Sequence, residues 1–342
     1  MDVKITIGGV DLMKTEINHE RQRLLDVVPL SAPYTIYLDP CGYCNLKCRF
    51  CPCNNSDYKI EQRHQIMDFE LFRKIAEDLK EFDGLIKVIN LYGHGEPLLH
   101  KKYIDMVRLI KKNNLCREVR VTTNGVLLSP ELNTELVSSG IDLVRISVEA
   151  LTEKSFFDIC GVALNYEKFI KNVQDLYVKS RGTNTKISAK IIMADLFNES
   201  DKAKFFEIFS PITDHQFIEA EAGFWPQFAV NEKNSEDARN HTYSNLEDAR
   251  NSICSFPLTN MMIFANGDIG VCCVDWRMDT VVGNVRQNTL KETWMYDFQK
   301  FRIAHLSGKR STLRSCKECM MLSPDNIDAD AAEILLKIQN EL

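Results

Sequence analysis

From residue 34 to about residue 221, short β-branched runs alternate with amphipathic helical stretches. A chain patterned this way has few folds open to it other than parallel strands joined by helical crossovers. Six runs read as strands, at 34–38, 87–92, 118–123, 143–149, 186–193 and 216–221. Between the first two, Leu71, Ile75 and Leu79 recur at helical spacing behind Asp68, the expected N-cap. Between the third and fourth, Ser129 is the expected cap and Pro130 takes the first helical position. Leu132 and Leu136 share a face of that helix, and Gly140 ends it.

Two of these strands carry a polar face. In 143–149, Val144, Ile146 and Val148 lie on one side and Arg145, Ser147 and Glu149 on the other; in the last run Glu219 and Glu221 oppose Ile218 and Ala220. Strands of a βα barrel are covered on both faces. A polar face therefore means either an edge strand in water or a lumen around a ligand. Active sites on such barrels lie at the C-terminal ends of the strands.

The rest of the chain changes character. Residues 223–252 are polar and charged with few periodic apolar positions, which predicts a linker. Residues 261–274 read as a hairpin turning at Asn266-Gly267, 290–304 as an amphipathic helix striped by Trp294, Phe298 and Phe301, and 328–342 as a terminal helix. The net charge of −6, with acidic and basic residues evenly mixed, supplies no basic stripe for nucleic acid. No run of about 18 apolar residues predicts a membrane span, and the first ten residues lack a basic region followed by an apolar one. The expected compartment is the cytoplasm.

Twelve cysteines are many for an ordinary cytosolic protein and few for a disulfide scaffold of this length. They are also unevenly placed. Cys41, Cys44, Cys48, Cys51 and Cys53 crowd one segment, Cys254, Cys272, Cys273, Cys316 and Cys319 fall in the last third, and Cys116 and Cys160 stand alone. Cys44-Asn-Leu-Lys-Cys48-Arg-Phe-Cys51 follows directly on a strand, compact enough to wrap one iron–sulfur cube. Zinc held by Cys41, Cys44, Cys48 and Cys51 is disfavoured, because ribbons of that form separate their pairs by about 15–20 residues. A closed ferredoxin-type cluster with Cys41 as fourth ligand stays open on spacing alone, as Pro52 follows the last cysteine.

The Cys-x3-Cys-x-aromatic-Cys pattern resembles the radical S-adenosylmethionine (SAM) superfamily, with Phe50 at the aromatic position. Gly93-His94-Gly95-Glu96-Pro97 resembles the family's Gly-Gly-Glu segment, Thr122-Thr123-Asn124-Gly125 a frequent segment near SAM, and Ser147 with Glu149 a pattern contacting SAM. The resemblance implies an α/β fold built on a partial (β/α)6 TIM-like barrel, covering roughly residues 34–221. It assigns Cys44, Cys48 and Cys51 to a [4Fe-4S] cluster with one open iron for SAM, and Phe50, Gly95, Glu96, Asn124, Ser147 and Glu149 to SAM contacts. A clean motif after the fifth strand is missing; Lys190 and Asn198 are candidates there.

Cys254-x12-Gly267-x4-Cys272, then Gly283-Asn284, Trp294 and Cys316-x2-Cys319, is similar to the Twitch domain, a shortened SPASM domain. That resemblance implies one auxiliary [4Fe-4S] cluster on Cys254, Cys272, Cys316 and Cys319, though four cysteines so spaced also suit zinc. Cys273 could replace Cys272. In a strand the two would face opposite ways, leaving Cys273 as a hydrogen-atom donor or a small buried hydrophobe.

The expected organisation is thus an N-terminal extension at 1–33, a barrel at 34–222, a linker at 223–253, a small β-hairpin/helix iron–sulfur domain at 254–320 and a C-terminal helix at 321–342. The expected reaction begins with a 5′-deoxyadenosyl radical removing hydrogen from a hydroxyl-bearing carbon of a sugar, aminocyclitol or nucleotide sugar, and ends in a ketone. In its Twitch spacing the chain is similar to the 2-deoxy-scyllo-inosamine dehydrogenases. Arg145, Lys190, Glu219 and Glu221 are the polar lumen candidates for substrate, and a flavodoxin- or ferredoxin-type reductant is the implied partner. The alternatives are epimerisation with Cys273 as donor, and peptide maturation. About thirty residues before the barrel leave no room for a leader-peptide recognition domain, which argues against the latter. A metal-stabilised binding module with zinc at both sites is the non-enzymatic alternative.

Overall fold

The computed structural model describes residues 6–7, 10–11, 22–54, 65–193, 199–220, 252–317, 319 and 327–340. Asn198, Glu221, the side chain of Glu219 and most of the expected linker lie outside the described residues.

Six parallel strands follow the order read from the sequence: β1 (Thr35–Leu38), β2 (Val88–Asn90), β3 (Glu118–Thr123), β4 (Leu143–Val148), β5 (Lys186–Met193) and β6 (His215–Ala220). Helices α1 (Phe69–Asp78), α2 (Tyr103–Lys112), α3 (Pro130–Ser138), α4 (Glu153–Cys160), α5 (Tyr166–Ser180) and α6 (Glu199–Phe209) make the crossovers. Ser129 caps α3 by accepting from the Leu132 N–H, as its hydroxyl before Pro130 predicts. Asp68 occupies the N-cap of α1 but its side chain makes no capping bond to the helix, so that helix is held by its buried face, Leu71, Phe72 and Ile75, rather than by a cap. Each such side chain is worth roughly 1.5–3 kcal/mol on burial.

The sheet is open, as a partial barrel requires, and it does not stop at β1. The C-terminal hairpin, β7 (Asn260–Ile263) and β8 (Asp268–Gly270), with β9 (Val281–Asn284), continues it. The order is β9-β8-β7-β1-β2-β3-β4-β5-β6, with β7 parallel to β1 over Thr35–Asn260 to Leu38–Ile263. Gly267 turns the hairpin at φ +90, a conformation that side-chain-bearing residues resist. Met261, Ile263, Ile269, Trp294, Phe298 and Phe301 share one core with the barrel strands. Trp294 is fully buried, and its indole N–H reaches back 2.7 Å to the Leu30 carbonyl.

The expected helix at 290–304 is interrupted. Leu290–Glu292 opens it behind a Thr289/Glu292 capping box, Thr293–Asp297 is a π-helical turn, and α7 (Gln299–Leu306) completes it. The wider turn lets Trp294 and Phe298 pack with ring centroids 5.0 Å apart. A second, smaller core joins Leu24, Leu25 and Val28 to Ile253, Leu258 and Leu306 and to α8 (Ala331–Asn340). No helix among the described residues is long and apolar enough to cross a membrane.

Candidate active site

The cysteine loop leaves β1 at Asp39, whose N–H donates to the Ile263 carbonyl on β7 at 2.9 Å. The Asp39 carboxylate accepts from the Cys41 N–H at 3.3 Å and the His94 N–H at 3.2 Å, fastening the loop after β1 to the loop after β2. Gly95 is required by the same contact. A Cβ there would lie 2.2 Å from the Cys41 carbonyl oxygen and 2.3 Å from that of Tyr43, and the next residue's N–H donates to Tyr43 at 2.7 Å. The close backbone approach that this glycine permits is therefore to the cysteine loop itself.

Glu96 is buried and ties three segments together. Oε1 accepts from the Leu98 N–H at 3.1 Å and the Thr123 hydroxyl at 2.7 Å, and Oε2 from the Asn124 N–H at 2.8 Å. Burial outweighs these bonds and pushes its carboxyl up to about 7. Asn124 in turn donates to Asn45 Oδ1 at 2.7 Å and to the Cys44 sulfur at 3.8 Å, and Leu46 N–H donates to that sulfur at 3.4 Å. Cys44 is exposed as a residue, yet protein atoms crowd its sulfur enough to push the thiol up to about 12.

Cys48 is buried, its thiol raised by a hydrogen bond with Cys160 and then by burial; the Cys53 thiol is raised the same way by a bond with Cys51. Cys160 stands alone in the sequence, and α4 carries it to the first motif. Lys47 and Arg49 N–H donate to the carbonyls of Cys160 and Ile159 at 2.8 and 3.0 Å, and Phe50 packs on the same small apolar cluster. Ser147 lies on the less buried side of β4 and Glu149 just past its end at Val148, both half-buried, with Arg145 between β3 and β5 and 5.6 Å from the Phe217 ring. Lys190 pairs with Ser147 across β4 and β5 and with Phe217 on β6, so the polar face is shared by neighbouring strands.

The C-terminal cysteines form a second site. Cys254, Cys272, Cys316 and Cys319, with His305 and Arg310, line a cavity of about 30 Å³. Among the described residues no three His, Cys, Asp or Glu side chains converge as they would around a single ion. Burial pushes the Cys254 thiol up to about 12 and the Cys316 thiol higher still. Thiols so desolvated need a cationic centre to be held as thiolates, and an iron–sulfur cube supplies one. Arg310 closes the cavity by donating to the carbonyls of Cys316, at 2.9 Å, and Cys319.

Strand β8 ends at Gly270, so Cys272 and Cys273 sit in the following turn and do not alternate across a sheet. Cys272 lines the cavity, and its thiol is hydrogen-bonded to that of Cys273. The Cys273 carbonyl receives a hydrogen bond from His94 Nε2 at 2.9 Å, and the His94 ring stacks on Trp276 with centroids 4.0 Å apart. His94, Cys160 and His305 are the positions the sequence did not flag as part of a site. No short-range spacing marks them, since their partners lie at sequence separations of about 50 to 180 residues.

Comparison with known proteins agrees with both regions. A family model described as the Radical SAM superfamily matches residues 39–201, and one described as the SPASM iron–sulfur cluster-binding domain matches residues 254–320. The tungsten-containing aldehyde ferredoxin oxidoreductase cofactor-modifying protein of Pyrococcus furiosus is 38% identical over 116 residues, 34% of this chain and 31% of that protein. The GTP 3′,8-cyclase of Aquifex aeolicus is 26% identical over 168 residues, 48% of this chain and 50% of that enzyme. The chain thus spans about a third to a half of the length of these curated relatives. The crystal structure of BtrN in complex with AdoMet and 2-DOIA superposes with a TM-score of 0.55 at 18% identity, over 87% of this chain and 98% of that one, a likeness of fold.

Proposed function

The chain belongs to the radical SAM superfamily and carries a SPASM-type iron–sulfur domain, and from that premise we propose that it oxidises a hydroxyl-bearing carbon of a sugar, aminocyclitol or nucleotide sugar to a ketone. SAM and [4Fe-4S] clusters are its cofactors. When bound, they supply an electron that breaks the carbon–sulfur bond of SAM, a 5′-deoxyadenosyl radical that takes the carbinol hydrogen, and an acceptor for the electron released as the hydroxyl loses its proton.

The proposed division of labour follows the two sites. Cys44, Cys48 and Cys51 would hold the cluster that binds SAM, three thiolates leaving one iron open. Gly95 and Glu96 fix that loop, with Asn124 donating to the Cys44 sulfur; Phe50, Ser147 and Glu149 border the space for SAM. Arg145, Lys190 and Glu219 are the proposed substrate contacts on the polar face of β4 to β6. The observation that carries the oxidation is the four-cysteine wall of the C-terminal cavity. Four protein ligands leave no iron open for substrate, and such a site suits electron transfer. A flavodoxin- or ferredoxin-type donor in the cytoplasm is the proposed reductant.

A second reading, chemistry on a nucleotide, is favoured by the cyclase that shares 168 aligned residues. Anaerobic incubation with SAM, dithionite and panels of polyols, aminocyclitols, nucleotide sugars and nucleoside triphosphates separates these. Oxidation yields 5′-deoxyadenosine with a product lighter by two hydrogens. A product of unchanged mass carrying solvent deuterium would mean epimerisation, and turnover confined to nucleoside triphosphates would favour the second reading.

A further inference from the structure

His305 is buried at 2% exposure on α7, and it lines the cavity walled by Cys254, Cys272, Cys316 and Cys319. Its two ring nitrogens have different fates. Nδ1 accepts the Cys254 N–H at 3.4 Å, which fixes the neutral tautomer with its proton on Nε2. Nε2 is buried and has no hydrogen-bond partner among the described residues. A buried N–H left unpaired costs about 1–3 kcal/mol, and native structures rarely carry one without a ligand or water to receive it.

We propose that His305 is a positioning residue of the auxiliary site, donating its Nε2 proton to a sulfur of the iron–sulfur cluster held there. This rests on the reading that the four cysteines are that cluster's ligands. Hydrogen bonds to cluster sulfurs favour the more reduced, more negative state, and so raise the reduction potential. The residue would thereby set how readily the cluster accepts an electron, and the same ring would hold Cys254 through its backbone. Arg310, spent on the carbonyls of Cys316 and Cys319, shapes the loop instead.

Three substitutions in the reconstituted full chain separate these roles. His305→Gln keeps a donor near the Nε2 position, His305→Asn keeps an acceptor toward Cys254 without the reach, and His305→Phe keeps only the volume. The readouts are iron content, the midpoint potential of the auxiliary cluster, and pulsed-EPR coupling to exchangeable protons compared in light and heavy water. Adding SAM perturbs only the cluster with an open iron, which identifies the auxiliary signal. The expected result is full iron content with a more negative potential and one lost proton coupling in His305→Asn, and both restored toward wild type in His305→Gln. An unchanged potential and unchanged couplings in His305→Asn would overturn the proposal. Loss of the cluster from all three variants would also overturn it, assigning His305 a purely structural part through Cys254. Wild-type protein holding zinc in place of a second cluster would overturn the underlying reading, and the iron analysis reports that separately.

Discussion

His94 Nε2 donates to the main-chain carbonyl of Cys273 at 2.9 Å, across 179 positions of sequence, while the carbonyl of His94 accepts from the Cys53 thiol at the same distance. One residue on the loop after β2 thus touches both cysteine-bearing segments. Its imidazole lies flat on Trp276, with 19° between the planes.

Replacing that ring tests the link. His94→Phe keeps the stacking on Trp276 but leaves the part-buried Cys273 carbonyl without its donor, and should cost about 0.5–1.5 kcal/mol of stability. Anaerobic denaturant unfolding measures this, and a variant as stable as wild type would show that water replaces the bond freely.

Gly95 offers a sharper test, since the atoms a side chain would meet are backbone on the opposing loop. Gly95→Ala should strip the SAM-binding cluster and leave the auxiliary one, roughly halving iron per chain if each site holds a [4Fe-4S] cluster. Full iron content with normal 5′-deoxyadenosine formation would contradict the packing described.

Glu96 predicts a pH dependence. Its carboxyl titrates at about 7 in the folded chain, against 4.5 as the ordinary value, with burial as the main cause. Between those values the native state keeps a proton that the unfolded chain has lost. Its contribution to stability is therefore complete below 4.5 and declines as pH rises through about 7. Glu96→Gln should flatten the slope of stability against pH in that window; parallel slopes for the two proteins would mean the carboxylate is ionised throughout.

Cys272 and Cys273 are neighbours in one turn, yet only Cys272 lines the cavity. Cys272→Ala should lose the auxiliary cluster's iron and spectrum, whereas Cys273→Ala should keep both and still oxidise substrate. Substrate turnover abolished by Cys273→Ala, with its iron intact, would instead mark that thiol as a hydrogen donor and favour epimerisation.

Local pattern made much of the architecture legible. The strand at 186–193 is observed as Lys186–Met193 and that at 118–123 as Glu118–Thr123, because alternation and β-branching act residue by residue along one strand. Ser129-Pro130 and Asn266-Gly267 mark a helix start and a hairpin for the same reason, since their backbone preferences are their own. The Cys44, Cys48 and Cys51 motif is equally local, as one short loop has to carry all three thiols. Tertiary structure alone decided that β7 lies parallel to β1, that Gly95 yields to the Cys41 and Tyr43 carbonyls, and that Cys160 meets Cys48. It also brought the Nε2 of His305 to the second cysteine cavity, with no hydrogen-bond partner among the described residues. These contacts join residues far apart in the chain, and what selects them is the need to satisfy buried polar groups and fill a shared core, a condition that leaves no periodic trace in the residues that meet it.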